Sequence, residues 1–344
     1  MQTRNRGFGL LLALLAVVAF VAAGCGGSSD STSDQAASSN PDGGVRLSLV
    51  AYSAPKVGFD KVIPLFEQSP AGKGISFSQS YGASGDQSRK VESGLKTDVV
   101  NFSLEPDVTR LVDAGLVDST WKDDKFKGIV SSSVVTLVVR KGNPKNIQDW
   151  DDLLKPGVEV VTPNPFSSGS AKWNLLAPYA LESGGGKDPQ AGLDYLTKLI
   201  AHVKTQPKSG REATELFLQG TGDVLLSYEN EAIFAERGGE DVEHHNPPTT
   251  LKIENPLAIL NSSTHAKQAQ AFKDFLYSAE GQKAWGEAGF RPVDPQVAKD
   301  FAGDFPAPQK LYTVAELGGW DKVNDELFDP ENGSVAKIYD EATN

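Results

Sequence analysis

Three short stretches of small, hydroxylated residues carry the chemistry this sequence offers. Tyr81-Gly82-Ala83-Ser84-Gly85, Phe166-Ser167-Ser168-Gly169-Ser170 and Lys208-Ser209-Gly210-Arg211 each precede a segment with helical spacing. Small side chains let the backbone approach whatever fills such a turn. The helix after each turn starts with N–H groups that have no intrahelical acceptor. Aligned peptide dipoles add partial positive charge there, and serine hydroxyls supply further donors or cap the helix. One Ser-Gly pair before a helix is ordinary capping. Three aimed at one point make a dry cage of donors for a small anion.

Little else in the chain competes as chemistry. The four histidines are His202, His244, His245 and His265. The His244-His245 pair has no third ligand at useful spacing and reads as an exposed polar loop rather than a metal site. There is no Gly-x-Ser-x-Gly elbow, no phosphate-binding loop with its lysine and no cysteine-based site. No enzyme activity, metal or cofactor is therefore expected. With 33 Lys plus Arg against 45 Asp plus Glu, the formal net charge is −12. No basic stripe appears, which argues against nucleic acid as a partner. An anion ligand stays compatible with that charge, because backbone N–H groups and helix dipoles need no net positive charge to hold it.

The elements that must position these turns alternate. Strand character is read at 46–51, 75–79, 98–102, 131–140, 158–161, 223–228 and 257–260. Helical spacing is read at 58–67 (despite Pro64), 86–95, 108–114, 170–181, 193–202, 211–219, 265–278 and 281–288, with a mostly helical tail from Val314. Such alternation predicts an α/β architecture with mainly parallel sheets. The strand at 131–140 is long enough to leave one lobe and enter another, and the proline-rich stretch from Asn246 to Asn255 reads as the return crossing. Residues 45–131 plus 251–344 would form lobe 1 and residues 132–250 lobe 2, with a ligand cleft between them at the carboxyl ends of strands.

The first residues predict export. Arg4 and Arg6 precede an apolar run from Phe8 to Ala23, closed by Gly24 and Cys25. That is the layout of a secretory signal over residues 1–24, and it is shorter than the ~20 apolar residues of a membrane span. Cys25 is the only cysteine, so it has no disulfide partner in its own chain. Its place after small residues resembles the lipobox of bacterial lipoproteins, with Ala22 where leucine is usual. The resemblance implies a lipidated Cys25, each buried methylene adding ~0.8 kcal/mol of membrane anchoring. Residues 25–44 then form a flexible, Ser- and Gly-rich tether.

A longer set of strings is more specific. Arg140-Lys141-Gly142-Asn143-Pro144-Lys145, Asp149-Trp150-Asp151-Asp152-Leu153, Thr162-Pro163-Asn164-Pro165, Ser167-Ser168-Gly169 and Trp173-Asn174 follow in order. Gly222-Asp223-Val224-Leu225, Glu229-Asn230-Glu231, Ser278-Ala279-Glu280-Gly281-Gln282 and Phe290-Arg291-Pro292 continue the series. This resembles the sulfate- and thiosulfate-binding proteins of bacterial ABC importers over nearly the whole chain after the tether. The resemblance implies a two-lobe periplasmic-binding-protein fold of type II. It implies an extracytoplasmic, monomeric protein that binds sulfate or thiosulfate and hands it to permease subunits. It places Ser53, Ser84, Ser168, Gly169, Ser170, Gly210 and Tyr228 at the anion, with Lys172 and Arg211 behind the contact loops. Departures fall at Ser53, where the family often has aspartate, at Ser170 (often glycine), at Lys172 (often arginine) and at Tyr228, where a tryptophan donates its indole N–H. A cage made only of donors would select a fully deprotonated oxyanion, because the proton of hydrogen phosphate would go unpaired. Molybdate, tungstate or phosphate binding, and an anion-sensing envelope protein, remain the alternatives.

Overall fold

The computed structural model describes residues 44–343. The expected signal segment, Cys25 and the tether lie outside the described residues. Ten strands occur among the described residues: β1 (Val45–Tyr52), β2 (Ile75–Gly82), β3 (Val99–Asn101), β4 (Ile129–Arg140), β5 (Val160–Val161), β6 (Val203–Thr205), β7 (Val224–Tyr228), β8 (Val242–His245), β9 (Thr249–Ile259) and β10 (Lys310–Tyr312). They join in the order β2-β1-β3-β9-β4-β7-β5-β6, with β10 on β9 and β8 on β4. β1 runs parallel to β2 and β3, and β5 parallel to β6 and β7. Every antiparallel ladder among the described residues involves β4 or β9, the two strands that cross between the halves of the chain.

β4 explains the crossing. Its first half, Ser131–Val134, pairs with β9, and its second half, Val135–Val139, pairs with β7. Residues 130–139 are all buried, as a β-branched run covered on both faces should be. The return crossing differs from expectation. It is no proline-broken loop followed by a short strand but one strand, Thr249–Ile259. Pro256 fits because it pairs with Ile129 beside a register shift, where no ladder N–H is required. Its carbonyl accepts from the Phe102 N–H at 3.0 Å and from the Asn101 side chain at 2.9 Å. His244 and His245 likewise lie on a strand, β8, paired with Val138 and Leu137 of β4, and are not an exposed loop.

Twelve α-helices occur among the described residues: α1 (Lys56–Gln68), α2 (Ser84–Glu92), α3 (Glu105–Asp113), α4 (Gly169–Glu182), α5 (Pro189–Ala201), α6 (Gly210–Leu218), α7 (Glu229–Arg237), α8 (Ala266–Leu276), α9 (Ala279–Glu287), α10 (Pro295–Asp300), α11 (Trp320–Val323) and α12 (Ser334–Thr343). α1 continues through Pro64. Phe59, Val62 and Phe66 on its inner face are fully buried, and burial at ~2 kcal/mol per large side chain outweighs an interior proline's ~3 kcal/mol. One core gathers Phe59, Phe66, Phe272 and Trp285 around α1, α8 and α9. A larger one surrounds Trp150, Trp173 and Leu199. The packing of the tail differs from the expected partition. Val314, Leu317, Leu327, Phe328 and Val335 join this larger core on α4 and α5, because Trp173 offers an apolar edge that Trp320 covers at 4.8 Å. The tail therefore packs on the half containing residues 132–250. No helix among the described residues is long and apolar enough to cross a membrane.

Candidate functional site

All three turns end at helix N-termini. α2 begins at Ser84, α4 at Gly169 and α6 at Gly210. Ser209 caps α6 by accepting the Glu212 N–H at 3.2 Å. No side chain caps α2 or α4 at the preceding residue, so their first-turn amides face the space ahead of them. The Ser168 N–H is already donated to the Asn164 carbonyl at 2.9 Å, which leaves its hydroxyl as the group it can offer.

The three N-termini converge on one cavity, at the carboxyl ends of β1, β2 and β7. Ser53, Ser84, Ser168, Gly169, Ser170, Gly210 and Tyr228 all line it, together with Arg211. Its empty space, counted out to the mouth, is about 320 Å³. Lys172 lies outside it. The Lys172 ammonium donates to Asn324 Oδ1 at 2.8 Å and sits 5.1 Å from the Phe328 ring, so it braces the tail against α4. Burial holds its pKa down to about 8, although Asp107 pulls the other way.

Four lining residues carry chemistry that the three turns did not announce: Tyr52, Ser103, Ser227 and Glu231. Ser103 is a junction. Its N–H donates to Ser84 Oγ at 2.9 Å, its carbonyl accepts the Trp173 indole N–H at 2.9 Å, and its hydroxyl meets the Tyr228 hydroxyl at 2.6 Å. These bonds tie the β3–α3 loop to α4 and β7, so both halves of the chain close on the cavity. The Ser84 hydroxyl donates to Asp107 Oδ2 at 2.6 Å. Its proton is thereby committed, and the donor Ser84 can give a ligand is its backbone N–H at the start of α2. Arg110 braces Asp107 from the other side at 3.2 Å.

The remaining hydroxyls come in pairs. Ser168 Oγ and Ser170 Oγ are 2.8 Å apart, and Ser103 pairs with Tyr228. A hydroxyl pair uses one proton internally and leaves the other free, so each pair can give the cavity one O–H donor. Burial pushes the Tyr228 phenol well above its ordinary value, which keeps it protonated. Arg211 lines the cavity with its guanidinium engaged by the wall. Its guanidinium donates to Glu231 Oε1 at 2.8 Å and stacks 4.7 Å from the Phe234 ring. Burial pushes the Glu231 carboxyl up against the pull of Arg211. The arrangement is a closed, mostly neutral shell of amide and hydroxyl donors, with one acid held by one base. Such a shell can hold a small oxyanion by hydrogen-bond donors alone.

Comparison with known proteins agrees on class. The family model described as bacterial extracellular solute-binding protein matches residues 47–291. A sulfate-binding protein from Synechococcus elongatus is 39% identical over 334 residues, covering 94% of each chain. A thiosulfate-binding protein from Pseudomonas aeruginosa is 33% identical, over 84% of this chain and 91% of its own. Among solved structures, the sulfate-binding protein SubI from Mycobacterium tuberculosis superposes with a TM-score of 0.82 at 59% identity, over 83% of this chain and all of its own. The chain belongs to the bacterial extracellular solute-binding proteins, which serve transport.

Proposed function

We propose that this protein captures sulfate, or its relative thiosulfate, between two lobes and delivers it to an ABC importer. One observation carries the reading: three helix N-termini and two hydroxyl pairs meet in one buried cavity. Relatives named for sulfate and thiosulfate support the choice of anion. The contacts are the N–H groups of Ser53, Ser84, Gly169, Ser170 and Gly210, with hydroxyls from Ser168 and Tyr228. Arg211 holds Glu231 away from the ligand, and Lys172 steadies α4 from behind. The lobes are 45–131 with 251–312, and 132–250 with the tail that packs on it. The protein acts as a monomer without catalysis, tethered outside the cytoplasm by a lipid on Cys25. Cys25→Ser should release it from the membrane fraction.

The test is calorimetry with sulfate and phosphate at pH 8. An unmade hydrogen bond to the phosphate proton costs about 1–3 kcal/mol, so sulfate should bind about 5- to 150-fold tighter. Equal or tighter phosphate binding would refute the sulfate reading and point to Glu231 as the acceptor for that proton. Molybdate and tungstate in the same series separate the larger oxyanions.

A further inference from the structure

Tyr52 closes β1 and lines the cavity. Only 4% of it is exposed, and its hydroxyl has no hydrogen-bond partner among the described residues. Its ring lies 6.3 Å from that of Tyr228 at an interplanar angle of 58°, so two phenols flank the same space. Their situations differ. The Tyr228 hydroxyl is engaged by Ser103 at 2.6 Å, whereas the Tyr52 hydroxyl is buried and idle. A buried polar group without a partner is rare in a folded protein and calls for an explanation. A ligand that completes its bonding supplies one.

We propose that the Tyr52 hydroxyl is a direct donor to the bound oxyanion, a specificity contact beyond the three turns. This rests on the oxyanion reading above. A phenol toward an anion can only donate, and burial keeps Tyr52 protonated, with the neighbouring Tyr228 and Glu231 acting in the same direction. Two further groups of the lining residues are idle, Arg211 Nε, a donor, and Glu231 Oε2, an acceptor. Glu231 is the rival partner, because its carboxylate is an acceptor whose charge already acts on the Tyr52 phenol.

Tyr52→Phe separates the two. A hydrogen bond to a charged group lost from the complex should weaken sulfate binding by about 10- to 100-fold. The thermal midpoint of the unliganded protein should stay level or rise, since an idle buried hydroxyl is removed. Wild-type protein that binds sulfate, with Tyr52→Phe unchanged within twofold, overturns the proposal and leaves the function intact. Wild-type protein that fails to bind sulfate overturns the function and this contact with it. A crystal structure of the wild-type sulfate complex decides the matter even if the variant folds badly. Tyr52 Oη within hydrogen-bond distance of a sulfate oxygen supports the contact, and Oη on Glu231 refutes it.

Discussion

Gly169 offers a sharp test of closure, because its neighbours lie across the cavity on the β3–α3 loop. A Cβ at this position would stand 2.6 Å from Ser103 Oγ, 2.8 Å from Leu104 Cγ and 2.8 Å from Ser103 Cβ. Carbon contacts are optimal at about 3.5–4.0 Å, so Gly169→Ala requires a separation of roughly 1 Å at the point where the halves meet. Ser103 cannot simply turn aside, because its N–H, carbonyl and hydroxyl are all bonded. Overpacking of this kind costs about 1–3 kcal/mol. The clash exists only when the halves are together, so the whole cost falls on the liganded, closed state. Sulfate affinity should drop about 5- to 150-fold, while unfolding of the unliganded protein in urea stays unchanged. Titration calorimetry on both proteins reads the first quantity, and a urea transition the second. Gly169→Ala binding within twofold of wild type would refute the idea that this contact belongs to the bound state. A matching loss of unliganded stability would show instead that the halves stay closed without ligand.

Three further perturbations probe what supports the site. Ser84→Ala removes a donor from Asp107 and an acceptor from the Ser103 N–H; both groups are buried, so a stability loss of about 2–3 kcal/mol is expected in urea, and a loss under 0.5 would mean water replaces the hydroxyl. Arg291→Ala strips Glu229, which is fully buried, of ion-pair contacts at 2.6 and 2.8 Å; the carboxylate, left with the Asn246 amide alone, should cost about 3–5 kcal/mol, read as a fall in the thermal midpoint. Lys172 has its pKa lowered from 10.5 to about 8. Between those values the unfolded chain keeps a proton that the folded chain has lost, so stability should rise with pH across that window. Lys172→Met should flatten that rise and stabilise the protein at pH 7 by up to roughly 3 kcal/mol. An unchanged pH–stability slope would place the ammonium in contact with water.

The helix starts around the cavity were legible where local sequence decides local geometry. Ser-Gly before a helix fixes where amides become free, and α2, α4 and α6 begin at Ser84, Gly169 and Gly210 accordingly. Ser103, Asp107 and Glu231 were not legible as site residues, because their roles depend on which strands are neighbours. Ser103 and Asp107 sit after β3, and only the β1–β3 pairing brings that loop beside α2. A usable signal existed: a serine and an acid just beyond a buried strand, on the same carboxyl edge as β1 and β2. Tyr52 was visible only as the neighbour of Ser53. The alternation of a strand sends consecutive side chains opposite ways, and without the sheet nothing says which faces the ligand. The prolines misled for a related reason. Pro256 breaks a strand in isolation, but the register shift opposite it removes the need for its N–H. The tail could not be assigned by pattern, since its apolar residues fit any exposed core and the choice of α4 and α5 is made by tertiary packing.

The acidic balance of the chain and its anion site are reconciled by how the nearby acids are used. Asp107 and Glu231 are the buried carboxylates bonded to cavity-lining residues, and each is occupied. Asp107 accepts the Ser84 hydroxyl and Arg110, while Glu231 accepts Arg211. Each acid thus meets a base before it meets the ligand, and neither adds a full uncompensated charge to the cavity. The same bonds do constructive work. Asp107 takes the Ser84 proton, and Ser84 Oγ in turn holds the Ser103 N–H, which fixes the loop that carries the Ser103–Tyr228 pair. What reaches the ligand is a set of dipoles fixed by the fold. Such dipoles need no reorganisation when a dianion arrives, and in a space closed to water they are screened far less than surface charges are. A net charge of −12, spread over the solvated exterior, acts on the ligand mainly during approach. A lysine patch would have made affinity follow that exterior charge; a shell of amides and hydroxyls makes it follow whether the two halves can close.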